Sequence, residues 1–360
     1  RNNMTQEKKD RETIRENPSY FLSLPPERKT ENVCWEAVNA DAENIRHVDE
    51  GTLTYEIVGI ALSSKPEVLR EIPHEALKNL LPYILNDNDE MLATLPKDVL
   101  TADLYHAIVK ENGHNLQHVP EGMKTPELCR TAFFSTQDLG FDHCAILNYI
   151  PYPEVCLEGL KDSINSLDAI DLAHTLRPEV INKEIAGFLV GHDGCCLSCI
   201  PVHLQTEELA MQAVSVSGNQ ALSYTTVRED LKTEKVYLAG MGKDSFQSYL
   251  HIPEQKRTPE ICLVAEKLYP QLFEKRPEVI PEHVKKGCNI YTLSKTLEGA
   301  TGKKYDVEEV KRLYNGGTLR ADRFITPGGT LRNQKVYFDK EKKEFSFKPL
   351  KQEKRKGFRR

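Results

Sequence analysis

The chain has 360 residues, of which 39% are hydrophobic and 28% charged, with a formal net charge of −6, the balance of a folded protein rather than a disordered or collagen-like one. No apolar run approaches the ~20 residues of a membrane span, so no transmembrane helix and no membrane partner are expected, and the polar opening RNNMTQEKKDRET has no signal-peptide character. Nine cysteines without the paired spacings of a disulfide scaffold favour a reducing, cytoplasmic setting.

Residues 1–20 are expected to supply a polar first helix and cap, centred on residues 10–17. From there one phrase is written over and over. An apolar residue followed by proline or its substitute occurs at Leu24-Pro25, Val48-Asp49, Ile72-Pro73, Leu95-Pro96, Val119-Pro120, Ile150-Pro151, Leu176-Arg177, Ile200-Pro201, Val227-Arg228, Ile252-Pro253 and Ile280-Pro281. The spacing is close to 24 residues in the first half and roughly 24 to 31 afterwards. Five residues after the proline position stands a threonine, at Thr30, Thr54, Thr101, Thr125, Thr206, Thr233 and Thr258. Self-similarity at such a period is the signature of a repeat architecture.

The copy VPEGMKTPELCRTA at residues 119–132 shows the chemistry. Thr125 can cap a helix with its hydroxyl, Pro126 occupies the first helical position, where a missing N–H costs nothing, and Glu127 faces the positive end of the helix dipole. Leu128, Cys129 and Ala132 then form an apolar face. Leu116 and Val119, three apart before proline, suit one short helical turn. A unit is thus a ten-residue helix with a short return segment, able to bury its apolar face only against neighbours. The expected fold is mainly α: an elongated right-handed α-solenoid of about eleven short repeats over residues 1–290. These units resemble bacterial and viral helical-repeat families of uncharacterised function, and in period the leucine-rich repeat variant. That resemblance covers roughly residues 17–289, implies the fold, and brings no catalytic residues with it.

After residue 290 the repeat stops. Asp306 can cap a helix through Leu313 that ends at Asn315-Gly316-Gly317, and three alternating strands follow at residues 319–325, 331–338 and 344–348. Residues 291–350 are therefore expected to form a small α+β module, a helix plus a three-stranded meander, and residues 351–360 a basic tail. EEVKRLYNGGTLRAD and KVYFDKEKKEFSF are similar to small modules in proteins of bacterial conjugative elements and phages, which implies a mobile-element context. From residue 301 onward there are 18 Lys+Arg against 8 Asp+Glu, so a large acidic body is followed by a small basic end.

Two clusters are candidates for chemistry. HDGCCLSCIPVH places His192, Cys196, Cys199 and His203 at spacings that zinc or an iron–sulfur cluster could use, yet Cys195 and Cys199 take the repeat positions of His114 and His118, so the Cys-x-x-Cys falls on a structurally required turn. His47, His118 and His251 recur at one repeat position but in non-adjacent units. At the basic end, Lys335, Lys340, Lys342, Lys343, Lys348, Lys351, Lys354, Arg355, Lys356, Arg359 and Arg360 could neutralise nucleic-acid phosphates, with Tyr337, Phe345 and Phe347 interleaved. Strand alternation assigns most of those aromatics to a core face. No phosphate loop, nucleophile elbow or metalloprotease motif is present, so neither an enzyme nor a cofactor is expected. The first reading is a noncatalytic scaffold whose repeats bind a protein partner. The alternatives are a nucleic-acid-associated protein using the C-terminal module and tail, and a metal or redox site at residues 192–203.

Overall fold

The repeat's threonines sit at helix N-caps. The threonine Oγ1 accepts from the amide three residues on: Thr30 from Val33 (3.4 Å), Thr54 from Ile57 (3.3 Å), Thr125 from Leu128 (3.1 Å), Thr206 from Leu209 (3.2 Å), Thr233 from Val236 (3.4 Å) and Thr258 from Ile261 (3.2 Å). Thr101 is the exception, its hydroxyl turned to Asp103. The computed structural model describes residues 5–135, 141–223, 226–242 and 246–350. The chain is mainly α-helical, ends in a three-stranded antiparallel sheet, and divides into two compact units, Arg1–Ile185 and Ala186–Arg360.

In the first unit the long helices are α1 (Gln6–Glu16), α2 (Glu31–Ala40), α3 (Tyr55–Ser64), α4 (His74–Asp87), α5 (Ala102–Glu111), α6 (Pro126–Ser135) and α7 (Pro153–Ser163). Each packs on the next. A second row of 3₁₀ turns runs beside them, including Pro18–Ser23, Ala42–His47, Pro66–Glu71, Gly113–His118 and Ala145–Tyr149. The buried face repeats from helix to helix: Val33, Cys34, Ala37 and Val38; Ile57, Val58, Ala61 and Leu62; Leu128, Cys129, Ala132 and Phe133. The first helix extends further toward the N-terminus than residues 10–17, because Thr5 caps it.

One return turn per unit was expected, and two are present. The four residues between the proline position and the threonine wind into a 3₁₀ turn of their own, at Pro26–Arg28, Glu50–Thr52, Glu121–Met123, Val202–Leu204, Glu229–Leu231 and Glu254–Lys256. The proline carbonyl accepts from the third amide after it, as from Arg28 to Pro25 (3.0 Å) and from Met123 to Pro120 (2.9 Å). Where lysine replaces the threonine, at Lys78, nothing stops the helix from starting early, and α4 begins at His74 directly after Pro73. The residue before the threonine also has a job that the sequence pattern hid. Lys124 Nζ donates to the Tyr149 carbonyl (2.9 Å), Gln205 Nε2 to that of Ile200 (2.8 Å) and Arg257 Nε to that of Ile252 (2.9 Å), satisfying carbonyls that the return turns leave over.

A charged clamp ties α1 to the first repeat. Glu36, 3% exposed, accepts from Arg15 Nε at 2.7 Å and from Arg11 Nε at 3.2 Å. Asp10, 1% exposed, accepts from Arg28 Nε at 2.9 Å and from Gln6 Nε2 at 3.0 Å. The Arg15 hydrogen bond holds the Glu36 carboxyl below its usual range, and Arg28 does the same for Asp10.

In the second unit α8 (Glu207–Ser217), α9 (Glu234–Gly240) and α10 (Pro259–Leu268) pack each on the next. The turn Gly194–Cys199 approaches α8 so closely that a Cβ on Gly194 would lie 2.0 Å from the Ala213 carbonyl oxygen. The module that follows has two helices rather than the single one expected: α11 (Ile290–Thr301), opened by an Asn289–Thr292 capping box, precedes α12 (Val307–Tyr314), capped by Asp306 with Glu309. Strands β1 (Leu319–Thr326), β2 (Gly329–Asp339) and β3 (Glu344–Pro349) form a meander in the order β1-β2-β3. Leu293, Leu297, Val310, Leu313, Leu319, Ala321, Phe324 and Val336 make its core. Both module helices pack on α10, with Lys311 Nζ 3.0 Å from Glu260 and Lys295 Nζ 2.6 Å from Glu266. Asn333, at φ 51°, kinks β2 where it leaves Asp322 without a strand partner.

Two outcomes are expected. Gly194→Ala lowers stability by about 1–3 kcal/mol through overpacking, whereas Gly187→Ala, with nothing within 4 Å of its added Cβ, changes it by no more than about 1 kcal/mol and in the stabilising direction; chemical denaturation of the two variants checks the contrast. Asp10 and Glu36 are lowered in the folded state, so their stabilisation is complete above the ordinary carboxyl range and is lost as pH falls through and below about 4. Glu36→Gln is expected to flatten that acid limb, read as urea midpoints between pH 7 and pH 3.

Candidate nucleic-acid interface

Register decides which side chains share each face of the C-terminal sheet. On the inner face Phe345 and Phe347 lie 5.1 and 4.8 Å from the Phe324 ring, centroid to centroid, so the alternation expected for these aromatics holds. On the outer face Arg320 of β1 pairs with Lys335 of β2, and Lys335 pairs with Lys348 of β3. Three cations thus stand directly opposite one another across all three strands. Beyond the Asn333 kink, Arg323 pairs with Arg332. All five side chains are exposed, and among the described residues none of them has a carboxylate at ion-pair distance.

Neighbouring strands are only ~4.8 Å apart, and like charges directly opposite destabilise a sheet. Tyr337 on the middle strand compensates in part, its ring centroid 5.8 Å from Lys335 Nζ and 5.3 Å from Lys348 Nζ. Exposed cation–π contacts of this kind contribute only about 0.5–1 kcal/mol. A row of cations held against its own repulsion, open to solvent, is chemically suited to an extended polyanion.

Of the residues singled out in the sequence, Lys335 lies at the centre of this row. Lys342 and Lys343 stand in the β2–β3 turn instead, where Asp339 Oδ1 accepts from the amides of Glu341 and Lys342 (3.0 and 3.1 Å). Lys354, Arg355, Lys356, Arg359 and Arg360 lie outside the described residues. Arg320, Arg323 and Arg332 were missed, since only strand pairing brings them beside Lys335. For Arg320 the signal available was its place between Leu319 and Ala321, whereas simple alternation would assign Arg323 and Arg332 to the inner face.

The cysteine cluster is not assembled as a site. Cys196 is wholly buried and burial pushes its thiol up to about 12. Asp193 caps the turn by accepting from the Cys195 amide at 2.8 Å. His192 is exposed, its Nδ1 2.8 Å from the Phe188 carbonyl oxygen, and His203 is exposed on the following turn. Among the described residues no group of three or more His, Cys, Asp or Glu side chains could hold a metal ion, these four included. Of the recurring histidines, His118 lies 4.0 Å from Asp89, and His251 Nδ1 lies 2.8 Å from the carbonyl of Gln247 in its own turn.

The first unit carries a different surface. A groove of about 610 Å³ between α2, α3 and α4 is lined by Trp35, Tyr55, Gly59, Ile60, Ile84 and Met91 together with Asn39, Glu56 and Asn88. Tyr55 is 51% exposed. The acidic charge is concentrated in this unit, with 18 Lys+Arg against 32 Asp+Glu, while the second has 30 against 22. Among the described residues no helix is long and apolar enough to cross a membrane.

Lys335→Glu places a carboxylate between Arg320 and Lys348 and is expected to stabilise the sheet by about 0.2–1 kcal/mol per new pair, read as slower hydrogen exchange of the β2 and β3 amides. In comparisons with protein families, with curated proteins and with solved structures, the chain matches none of them.

Proposed function

We propose that this protein binds nucleic acid through the outer face of its C-terminal sheet. The observation that carries the reading is the row Arg320–Lys335–Lys348, exposed, unpaired and in direct cross-strand register. Removing a group from water without a partner is costly, but these groups stay in water and are unpaired only with respect to carboxylates. What the row lacks is counter-charge, and a phosphate backbone supplies it at close spacing with release of bound counterions. Arg320 adds a planar fork for phosphate oxygens, and the two lysines act as point charges. Because backbone contacts of this kind carry no sequence information, the expected binding is sequence-independent and steeply dependent on salt.

The test uses the full chain, so that residues 351–360 remain in place and any loss belongs to the sheet. A Lys335→Glu, Lys348→Glu double variant is titrated against a fluorescent 20-nucleotide probe, single-stranded and duplex, across a series of salt concentrations. The slope of log K against log salt is expected to fall by about 0.7 per lost contact for the single strand and about 0.9 for the duplex. Unchanged affinity and slope in both probes overturns the reading.

A second reading, protein binding by the repeats, is supported by the aromatic groove of the acidic first unit. Its partner is a basic, partly apolar segment. Trp35 is the only tryptophan in the chain and lines that groove, so its emission reports occupancy directly. A blue shift that saturates with a cationic amphipathic peptide and disappears in a Tyr55→Ala, Ile60→Ser variant is the expected result. No change in emission at any peptide concentration ends this reading.

A further inference from the structure

We infer that the polyanion on this face is a single strand of nucleic acid, one of whose bases stacks on Tyr337; this rests on the phosphate reading above and specifies its ligand. Tyr337 stands on the same face as Lys335, two residues along the middle strand and therefore ~6.6–6.8 Å from it. Its partner across β3 is Ser346, an exposed and small residue, so no bulky side chain of that strand stands beside the ring. The ring is half-buried. Among the described residues the cations over it are Lys335 and Lys348, at 5.8 and 5.3 Å, the same two ammoniums that the phosphates would draw away. A backbone crossing the strands along Arg320, Lys335 and Lys348 would therefore uncover an aromatic face beside its own path.

The two forms of nucleic acid use such a surface differently. A duplex presents phosphates outward and keeps its base faces inside the stack, so it meets the cations but gains nothing from the ring. A single strand has base faces free to stack on an exposed aromatic, the arrangement by which sequence-tolerant single-strand binders gain affinity. Every base has such a face, so the stacking contact is sequence-tolerant.

The experiment measures binding of the full chain to dT12, to U12 and to a mixed-sequence 12-base-pair duplex by fluorescence anisotropy. Wild type, Tyr337→Phe, Tyr337→Leu and Lys335→Glu, Lys348→Glu proteins are compared. The single strands, DNA or RNA, are expected to bind more tightly than the duplex. Tyr337→Leu is expected to weaken them about 5- to 150-fold, the equivalent of one stacked base at ~1–3 kcal/mol, with the salt slope and the duplex affinity unchanged. Tyr337→Phe keeps the aromatic face and is expected to bind like wild type. Equal binding of single strand and duplex, or wild-type binding by Tyr337→Leu, overturns the stacking inference; if the double lysine variant still loses both probes, the phosphate reading survives that failure. Should the double variant bind everything as wild type does, both fall together.

Discussion

One threonine hydroxyl accepting one amide, at the start of six of the repeat helices, is the bond on which the repeat depends. It fixes the residue at which the extended chain becomes helical, and so the phase of everything after it: the third, fourth, seventh and eighth residues beyond Thr30, Thr54 and Thr125 are the ones that reach the core. Shift that start by one residue and the buried face rotates by about 100°. The early start of α4, where lysine stands in place of threonine, shows what the hydroxyl otherwise prevents. The lysine, glutamine or arginine just before the threonine closes the other half of the junction by holding carbonyls left over from the turns. Start and return are thus fastened by adjacent residues.

The ends of such a stack need separate solutions, because a terminal helix has a neighbour on one side only. At the N-terminal end two buried carboxylates gather three arginines from α1 and the turn Pro26–Arg28. Buried charges of this kind are costly unless fully paired, and here both carboxylates are. In the second unit the closing surface is the α+β module, whose two helices lie on α10 and meet it through Lys295 and Lys311. The module thereby covers the last repeat with one side and leaves the outer face of its sheet to solvent.

The repeat, its caps and the strands were legible in the sequence because each is decided by residues close together: a threonine and an amide three residues on, or alternating side chains within one strand. Helix α11 was not read, although Asn289 and Thr292 form its capping box, since the surrounding glycines and the end of the repeat masked the pattern. The second 3₁₀ turn was hidden for another reason, as its bond runs to a proline carbonyl and leaves no side-chain signature. Partners such as Arg15 and Glu36, 21 residues apart, have no local signal. The cation row belongs to the same class. Lys335 was visible as one basic residue among many, but its alignment with Arg320 and Lys348 exists only once three strands are paired. The cysteine cluster failed in the opposite sense, a local pattern that the turn geometry spread between core and surface.

The left-handed residue in β2 has an effect on this alignment out of proportion to its size. In an unbroken strand, alternation counted from Lys335 and Val336 would put Arg332 on the inner side and Leu331 on the outer. Asn333 inverts that parity, and its own carbonyl is held by the Leu350 amide at 2.9 Å. The sheet is consequently two short sheets of opposite phase sharing one face. Arg323 and Arg332 stand on the side of Lys335 because the chain changes hand for one residue, and the width of the cationic face is set by backbone conformation as much as by composition.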